Sequence, residues 1–179
     1  MRIRQATISD SAALARIQVD SYRRAYASLF PQAYLDRFTY EEQEQDWCDL
    51  LSSETDDIVY VAEAGPGEIV GYALGRPGSG GVAPYESELV ALHVTSSHQG
   101  QGIGRRLVAA MARHLQERGA GSLMLWVLEG NRSRPFYERL GGQLLNERQT
   151  IEGGAVEVAY GWPAIGRLAE EPGGSSPGV

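Results

Sequence analysis

The chain of 179 residues has no lysine, one cysteine and no hydrophobic run long enough to span a membrane. All 16 basic residues are arginine, which excludes three chemistries that need a lysine amine: Schiff-base catalysis with pyridoxal phosphate, a Walker A phosphate loop, and a kinase that relies on a strand lysine. The lone Cys48 has no partner for a disulfide or a two-cysteine metal site, and its acidic neighbours disfavour a reactive thiolate. We therefore expect an inert thiol and a reducing, cytoplasmic environment.

Positive charge is scarce overall. The formal net charge is −7, so we expect no nucleic acid partner and favour cationic small molecules. No signal segment or membrane anchor is expected, and three histidines at unrelated spacings predict no metal site. With 42% hydrophobic and 22% charged residues, the composition is typical of one globular domain. We place this domain at residues 1–163 and expect a disordered tail at 164–179, where glycine, serine and proline are frequent.

Hydrophobic periodicity divides the domain into strands and helices. Helices are predicted from Ser9 or Asp10, from Thr39 to about residue 51, from the glycines near residue 102 to Gly119, and over 134–140. Strands are predicted over 2–6, 58–63, 69–75, 88–94 and 123–128, followed by a hairpin over 143–160. Hairpins combined with βαβ crossovers predict a mixed sheet, so the fold class is α/β (α+β).

The most informative stretch is the glycine-rich run at residues 99–105, which stands between a buried strand, ELVALHV, and a helix. Glycines allow close backbone approach, and the free amides of a helix N-terminus attract a phosphate or pyrophosphate. A flexible corner is the alternative interpretation. A Rossmann fingerprint does not fit, because its third glycine position falls on Arg105 or Leu107, depending on the register.

Two motifs in this order resemble the GNAT superfamily of N-acetyltransferases. Gln99, Gly102 and Gly104 fit its (Arg or Gln)-x-x-Gly-x-(Gly or Ala) signature, and residues 131–142, NRSRPFYERLGG, resemble its Asn...Phe-Tyr-Glu-x-x-Gly segment. The resemblance covers roughly residues 1–162. It implies a mixed, mostly antiparallel central sheet of about six to seven strands flanked by helices, and acetyl-CoA as the acyl donor.

The resemblance also implies which residues contact acetyl-CoA. Strand residues Leu92, His93 and Val94 would pair with the pantetheine arm, and a backbone amide near Val94 would polarise the thioester carbonyl. Asn131 would contact the arm, although it also suits a helix N-cap. Tyr137 would protonate the departing thiolate, although it also suits a core aromatic beside Phe136. The pyrophosphate would bind the backbone of Gln99, Gly100, Gln101, Gly102, Ile103, Gly104 and Arg105, with the Arg105 side chain favoured over that of Arg106 for a phosphate contact.

An amine must lose a proton before it attacks, and a lysine-like amine has a pKa of about 10.4. Glu88, at the start of the central strand, occupies a place where members of this superfamily often carry a base. Glu86 and Glu129 are reserves, and a solvated strand-end carboxylate is the alternative role for Glu88. Strict strand alternation would put His93 on the face opposite Glu88. We interpret His98 and His114, like His93, as structural.

These expectations combine into an N-acetyltransferase that acts on a primary amine of a small cationic molecule by direct attack in a ternary complex. A protein or peptide N-terminal or side-chain acetyltransferase and a noncatalytic acyl-CoA sensor are the alternatives. Aromatic residues of the first helical region would line the acceptor pocket or fill the core: Tyr22, Tyr26, Tyr34 and Trp47. The arginine-only composition favours a GC-rich bacterial genome, and a homodimer is left open.

Overall fold

Seven strands form one sheet in the computed structural model, which describes residues 1–27, 29–78 and 80–170. The strands are β1 Arg2–Gln5, β2 Ile58–Gly65, β3 Glu68–Pro77, β4 Ser87–Val94, β5 Leu123–Leu128, β6 Gln143–Thr150 and β7 Val156–Trp162. The strand order is β1-β2-β3-β4-β5-β7-β6, and only β4 and β5 among these neighbours run parallel. The predicted mixed, mostly antiparallel sheet is therefore confirmed.

Six α-helices accompany the sheet in the described residues. They are α1 Ser11–Ala25, α2 Gln32–Leu35, α3 Tyr40–Ser52, α4 Ile103–Glu117, α5 Arg134–Arg139 and α6 Gly166–Ala169. Thr39 caps α3 as the sequence predicts, since its hydroxyl oxygen accepts a hydrogen bond from the Glu42 amide at 3.2 Å. None of the described helices has the length and apolar character to cross a membrane.

Each face of the sheet carries its own apolar layer. On the α4 face, Leu107, Met111 and Leu115 of α4 recur every four residues and pack on Ala73 and Leu125. On the α1 face, α1 and α3 cover one half of the sheet, where Leu14 and Trp47 pack on Tyr72. The other half of the α1 face, over β5 and β7, is covered by the loop at 80–86, whose Val82 packs on Met124.

A β-bulge interrupts β4 at Val90. Leu74 of β3 pairs with Ala91 of β4, whereas Gly75 pairs with Leu89, so Val90 has no partner in the register. The extra residue reverses the side-chain alternation beyond it. Both Val90 and Ala91 consequently pack against the α1 layer.

The ordered domain extends beyond the boundary predicted at residue 163. Helix α6 packs on α4, and Ile165 and Leu168 are buried in the layer of the α4 face, with 1% and 6% of their surface exposed. Residues 164–170 are thus structured, which corrects the predicted tail at that end. The rest of that tail, 171–179, lies outside the described residues.

Candidate active site

The parallel strands β4 and β5 separate shortly after they meet. Their only register pair is Glu88 with Met124, although β4 continues to Val94 and β5 to Leu128. Beyond this pair, the β4 edge that faces β5 has no neighbouring strand in the described residues. An extended ligand can hydrogen-bond such an edge as an added strand would. Leu92, His93 and Val94, the predicted pantetheine contacts, lie on this part of β4.

The glycine loop leads from this edge to the N-terminus of α4. Gly100 and Gly102 have φ angles of 76° and 77°, a left-handed conformation that favours glycine, and a Cβ at either position would meet no atom within 4 Å. The open space above the loop suits a bulky anion, and the first turn of α4 supplies free amides.

Two glutamine side chains brace the loop. Gln99 Nε2 donates to the Val94 carbonyl oxygen at 3.0 Å, and Gln101 Nε2 donates to the Ser97 carbonyl oxygen at 3.2 Å. Both side-chain amides are therefore engaged with the backbone. The Gln99 main-chain amide donates to the Ser96 carbonyl oxygen at 3.4 Å, whereas the main-chain amides of 100–105 have no backbone acceptor within the described residues. Gly104 has a different role, because a Cβ there would lie 3.2 Å from the Phe136 ring, so its small size allows α5 to approach α4.

Arg105 and Arg106 follow the loop on α4 but face different surroundings. Arg106 Nη2 donates to the Met1 carbonyl oxygen at 3.3 Å. Arg105 is exposed, and no group in the described part of the chain forms an ion pair or hydrogen bond with its side chain. Arg105 is therefore the side chain available to a phosphate.

Tyr137 lies on α5 with 8% of its surface exposed. Its ring contacts Phe136, Tyr160 and Trp162 at centroid distances of 5.3, 6.3 and 6.5 Å. Burial raises its pKa to about 12, so the phenol keeps its proton at neutral pH. No hydrogen bond to the hydroxyl occurs within residues 1–27, 29–78 and 80–170. The ring is thus a core aromatic, but its hydroxyl lacks the backbone partner expected of a purely structural tyrosine.

Tyr137 and Tyr26 belong to different apolar layers. Tyr137 packs in the α4 layer, whereas Tyr26 packs with Phe30, Leu35 and Leu128. Burial raises the pKa of Tyr26, and the charges of Tyr22, Tyr137 and Glu157 raise it further.

Asn131 caps the turn before α5. Its Oδ1 accepts a hydrogen bond from the Ser133 amide at 2.8 Å, and its own carbonyl oxygen accepts one from the Arg134 amide at 3.3 Å. The N-cap position of α5 is occupied by Ser133, so the expectation that Asn131 is the N-cap is wrong: its side chain caps the turn that precedes the helix. No described group accepts a hydrogen bond from its side-chain nitrogen.

Glu88 stands where β4 and β5 separate, with its side chain on the α1 face opposite Arg76 of β3. The side chain is half-buried. Burial raises the pKa of its carboxyl group, the Arg76 guanidinium lowers it, and the carboxylates of Glu157 and Asp57 raise it. Arg76 itself is held by Asp57 through contacts of 2.7 and 2.8 Å, so Glu88 has no ion-pair partner of its own among the described residues.

The two reserve carboxylates are engaged elsewhere. Glu86 Oε2 accepts a hydrogen bond from the Gly121 amide at 2.6 Å. Glu129 Oε1 pairs with Arg148 Nη2 at 2.6 Å. Both reserve carboxylates are therefore engaged, whereas Glu88 has no hydrogen bond or ion pair to any described residue and is the remaining candidate for a base.

His93 lies on the same face as Glu88, and the expectation of opposite faces is wrong. The bulge at Val90 reverses the alternation, so His93 pairs with Tyr72 while Glu88 pairs with Arg76. The imidazole contacts the rings of Tyr22 and Tyr72 at 5.6 and 5.3 Å. Burial lowers its pKa to about 4, so the ring is neutral at physiological pH and is a weak base.

The other two histidines have local partners. His98 Nδ1 lies 3.0 Å from both the Thr95 and the Ser97 hydroxyl oxygens. His114 Nδ1 lies 3.1 Å from Gln5 Nε2 and packs edge-on against Tyr60. These contacts agree with the structural roles expected for both.

Five aromatic rings close into a ring of contacts at one side of the opening between β4 and β5. Successive centroids lie 5.1, 6.1, 4.6, 5.8 and 5.3 Å apart. Sequence reasoning missed two members, although the spacing of four residues from 22 to 38 would have revealed the set. Trp47 is not a member, because its indole is buried and donates to Gln18 Oε1 at 2.7 Å. The members are Tyr22, Tyr26, Phe30, Tyr34 and Phe38.

Glu157 of β7 was also missed by the sequence analysis. It pairs with Leu128 of β5 in register and is half-buried. The signal that would have found it is the alternation of β7, in which Val158 and Tyr160 face the α4 layer and Glu157 and Ala159 face the α1 side.

A hollow of about 420 Å³ between α1 and α3 is lined by Arg16, Asp20 and Tyr40. Its lining includes neither Glu88 nor Tyr137.

Comparisons with known proteins agree with this architecture. The model of the acetyltransferase (GNAT) family matches residues 19–142. The uncharacterized N-acetyltransferase YuaI of Bacillus subtilis is 32% identical over 168 residues, which are 93% of this chain and 95% of that protein.

Solved structures show the same fold. The PaiA N-acetyltransferase of Thermoplasma acidophilum, in complex with coenzyme A, has a TM-score of 0.70 at 18% identity over 88% of this chain and 96% of that chain. The acetyltransferase yncA of Salmonella typhimurium, with acetyl-CoA, has a TM-score of 0.67 at 19% identity over 99% of this chain and 98% of that chain. From the family model and the extent of the Bacillus match, the chain belongs to the acetyltransferase (GNAT) family.

Proposed function

We propose that this chain transfers an acetyl group from acetyl-CoA to a primary amine of a small cationic molecule, by direct attack in a ternary complex in the cytoplasm. One observation carries the proposal. Glu88 lies where β4 and β5 separate and Tyr137 lies in the α4 layer, and within the described residues the carboxylate has no ion-pair partner and the phenol has no hydrogen bond. A general acid and a general base on the two sides of a reacting group suit acyl transfer.

The residues present fit acetyl-CoA. The free edge of β4 and the open loop at Gly100 and Gly102 supply donors along one path, and Arg105 adds a positive charge at its end. This local charge offsets the repulsion between a polyanion and a protein of net charge −7. Acetyl-CoA supplies the activated acyl group as a thioester.

The chain's own residues then manage the protons. Glu88 takes the proton that the ammonium group of the acceptor must lose, directly or through one water molecule. The amide near Val94 donates a hydrogen bond to the acyl oxygen as charge develops there. Tyr137 donates its proton to the departing sulfur, which suits a phenol whose pKa is raised to about 12 and is therefore protonated at neutral pH.

We call the α1 face of the sheet around Glu88 and the aromatic rings the acceptor side. The walls of this side favour a small acceptor over a peptide. The tip of the β6–β7 hairpin meets the aromatic segment, since a Cβ on Gly153 would lie 2.9 Å from the Phe30 ring. Arg37 and Glu152 form an ion pair of 2.6 Å across the same junction. On another side, Trp126 Nε1 donates to the Gly80 carbonyl oxygen at 3.1 Å and ties the 80–86 loop to β5. An extended peptide needs an open groove, which these contacts narrow.

Thermal unfolding with acetyl-CoA, free CoA, NAD or ATP tests the donor. A ligand at about 100 times its dissociation constant stabilises a protein by roughly 2.7 kcal/mol, which raises the melting temperature by several degrees. We expect a shift with acetyl-CoA and CoA alone. A shift with NAD or ATP instead would contradict the proposal.

Competition tests the acceptor. We expect 1,6-diaminohexane to be acetylated and a peptide with a free N-terminus to compete poorly for the same site. Preferential acetylation of the peptide would favour the protein acetyltransferase. Binding of acetyl-CoA without turnover on any amine or peptide would favour the acyl-CoA sensor.

A further inference from the structure

Glu157 occupies the α1 face of the sheet one strand beyond β5. It pairs with Leu128 on one side and with Gln149 of β6 on the other. Its neighbour Val158 is buried in the α4 layer, so the alternation of β7 directs Glu157 to the same face as Glu88. The two carboxylates thus border the acceptor side from β4 and from β7.

The Glu157 carboxylate has no cationic partner in the part of the chain that the structure describes. Its Oε2 accepts a hydrogen bond from Gln149 Nε2 at 2.8 Å, which orients the group without neutralising it. Nearby acids differ in this respect, because Glu129 pairs with Arg148 and Glu152 pairs with Arg37, each at 2.6 Å. A half-buried carboxylate that remains unpaired costs free energy unless a cation joins it.

Glu157 lies beside the aromatic rings of the α1 side, because Tyr26 packs against the cluster that contains Leu128, the register partner of Glu157. After burial, its charge is one of the factors that raise the pKa of Tyr22, of Tyr26 and of Glu88. The carboxylate therefore acts on the aromatic rings of α1 and on the base. A carboxylate next to tyrosine rings is a typical environment for an organic cation, which gains both charge pairing and contact with the ring faces.

We propose that Glu157, with Tyr22 and Tyr26, binds a second cationic group of the acceptor, so that the enzyme prefers aliphatic diamines and longer polyamines to monoamines. The reacting nitrogen lies at Glu88 and the distal nitrogen at Glu157. Two carboxylates on one side of the sheet repel each other. A dication can pair with both carboxylates, whereas a monocation can pair with only one. Glu157 is a specificity-determining residue in this arrangement, and the inference rests on the proposed acetyl transfer to amines.

Two acceptors of equal length isolate the second charge: 1,6-diaminohexane and hexylamine. Wild type should show a kcat/KM for the diamine about tenfold above that for hexylamine, beyond the statistical factor of about two for its two amino groups. Glu157→Gln should reduce this preference to that statistical factor, because it raises KM strongly for the diamine, whereas kcat/KM for hexylamine changes only through the smaller effect of Glu157 on Glu88. Glu157→Asp, which keeps the charge, should restore part of the preference.

Glu117→Gln is the matched control, because it removes one exposed carboxylate from α4 on the other side of the sheet. It should leave both values of kcat/KM at the wild-type level. Thermal unfolding of each variant shows whether it is folded, and Glu157→Asp provides a charged variant for comparison if Glu157→Gln unfolds.

Three results would overturn the inference. Wild type that uses both amines equally well has no second cation site. A Glu157→Gln variant that loses activity equally on both amines indicates a structural role for Glu157. If acetyl-CoA stabilises the wild type but neither amine releases CoA, the proposed function fails and the inference fails with it, which distinguishes that result from the first two.

Discussion

Glu88 and His93 lie on the same face of β4 although five positions separate them in the sequence. An uninterrupted strand would put them on opposite faces, because side chains alternate with a period of two. The unpaired Val90 adds one residue between them and brings the imidazole to the α1 face, where it contacts the rings of Tyr22 and Tyr72. Bulges are frequent next to active sites because they redirect a side chain in this way.

The loss of folding stability at low pH should show that His93 is buried and neutral. Burial lowers its pKa to about 4, so between pH 6.5 and pH 4 the unfolded chain binds a proton that the folded chain resists, and stability falls as the pH falls. His93→Gln removes this contribution, which is at most about 3 kcal/mol. The melting temperature of the variant should therefore fall less steeply over that range than that of wild type. Parallel curves would contradict a buried, neutral His93.

Tyr137→Phe separates catalysis from packing. We expect kcat to fall about 100-fold, the usual contribution of a general acid, with little change in the KM for acetyl-CoA. The hydroxyl has no hydrogen bond to any described residue, so its removal should leave the melting temperature unchanged or slightly higher. Steady-state kinetics and thermal unfolding check the two expectations. Unchanged turnover would remove Tyr137 from the mechanism.

Glu88→Gln should change the pH profile of the reaction. Without a base the enzyme depends on acceptor amine that is already neutral, so its kcat/KM should fall about 100-fold at pH 7 and approach wild type near the amine pKa of about 10.4. If the ratio of kcat/KM between the variant and wild type is instead the same at all these pH values, the proton is taken by water or by another residue.

The same variant should gain stability at neutral pH. Burial and the charges of Glu157 and Asp57 raise the pKa of Glu88, so the folded chain binds this proton more tightly than the unfolded chain. Its contribution to stability is present below the ordinary pKa and is lost as the pH rises through the raised one. Glu88→Gln should therefore melt above wild type at pH 7, and this gain should disappear below about pH 4. A lower melting temperature at pH 7 would indicate a structural partner for the carboxylate.

Arg105→Ala and Arg106→Ala form a matched pair on adjacent positions of α4. Arg105 is free to meet a phosphate, whereas Arg106 donates to the Met1 carbonyl oxygen. We expect Arg105→Ala to weaken acetyl-CoA binding about tenfold, with a smaller loss at high salt, and Arg106→Ala to have little effect. Titration calorimetry at two salt concentrations measures both. Equal losses would mean that the phosphate contacts are not specific to Arg105.

Local patterns in the sequence predict most of this fold. Helix α4 follows from apolar residues at every fourth position, and the β6–β7 hairpin follows from Gly153 and Gly154 between two strand patterns. The glycine loop and Tyr137 follow from motifs that place both next to predicted elements. These features depend on interactions between residues that are near in sequence, which is why a single chain reveals them.

Features that depend on pairing between distant segments were not predictable in the same way. The bulge at Val90 exists only in relation to β3, and the face of His93 depends on it. Glu157 lies next to Leu128 because β7 pairs with β5. The extension of the domain to α6 depends on the packing of Ile165 and Leu168 on α4, whereas composition alone indicated a tail.

Acceptor-dependent release of CoA thiol from acetyl-CoA, followed with 1,6-diaminohexane and with mass analysis of the amine product, tests the central claim most directly. The account predicts saturable release that requires the amine, formation of the acetylated diamine, and about 100-fold slower release by Tyr137→Phe. Stabilisation of the protein by acetyl-CoA without release of thiol in the presence of the diamine or other small cationic amines would contradict it.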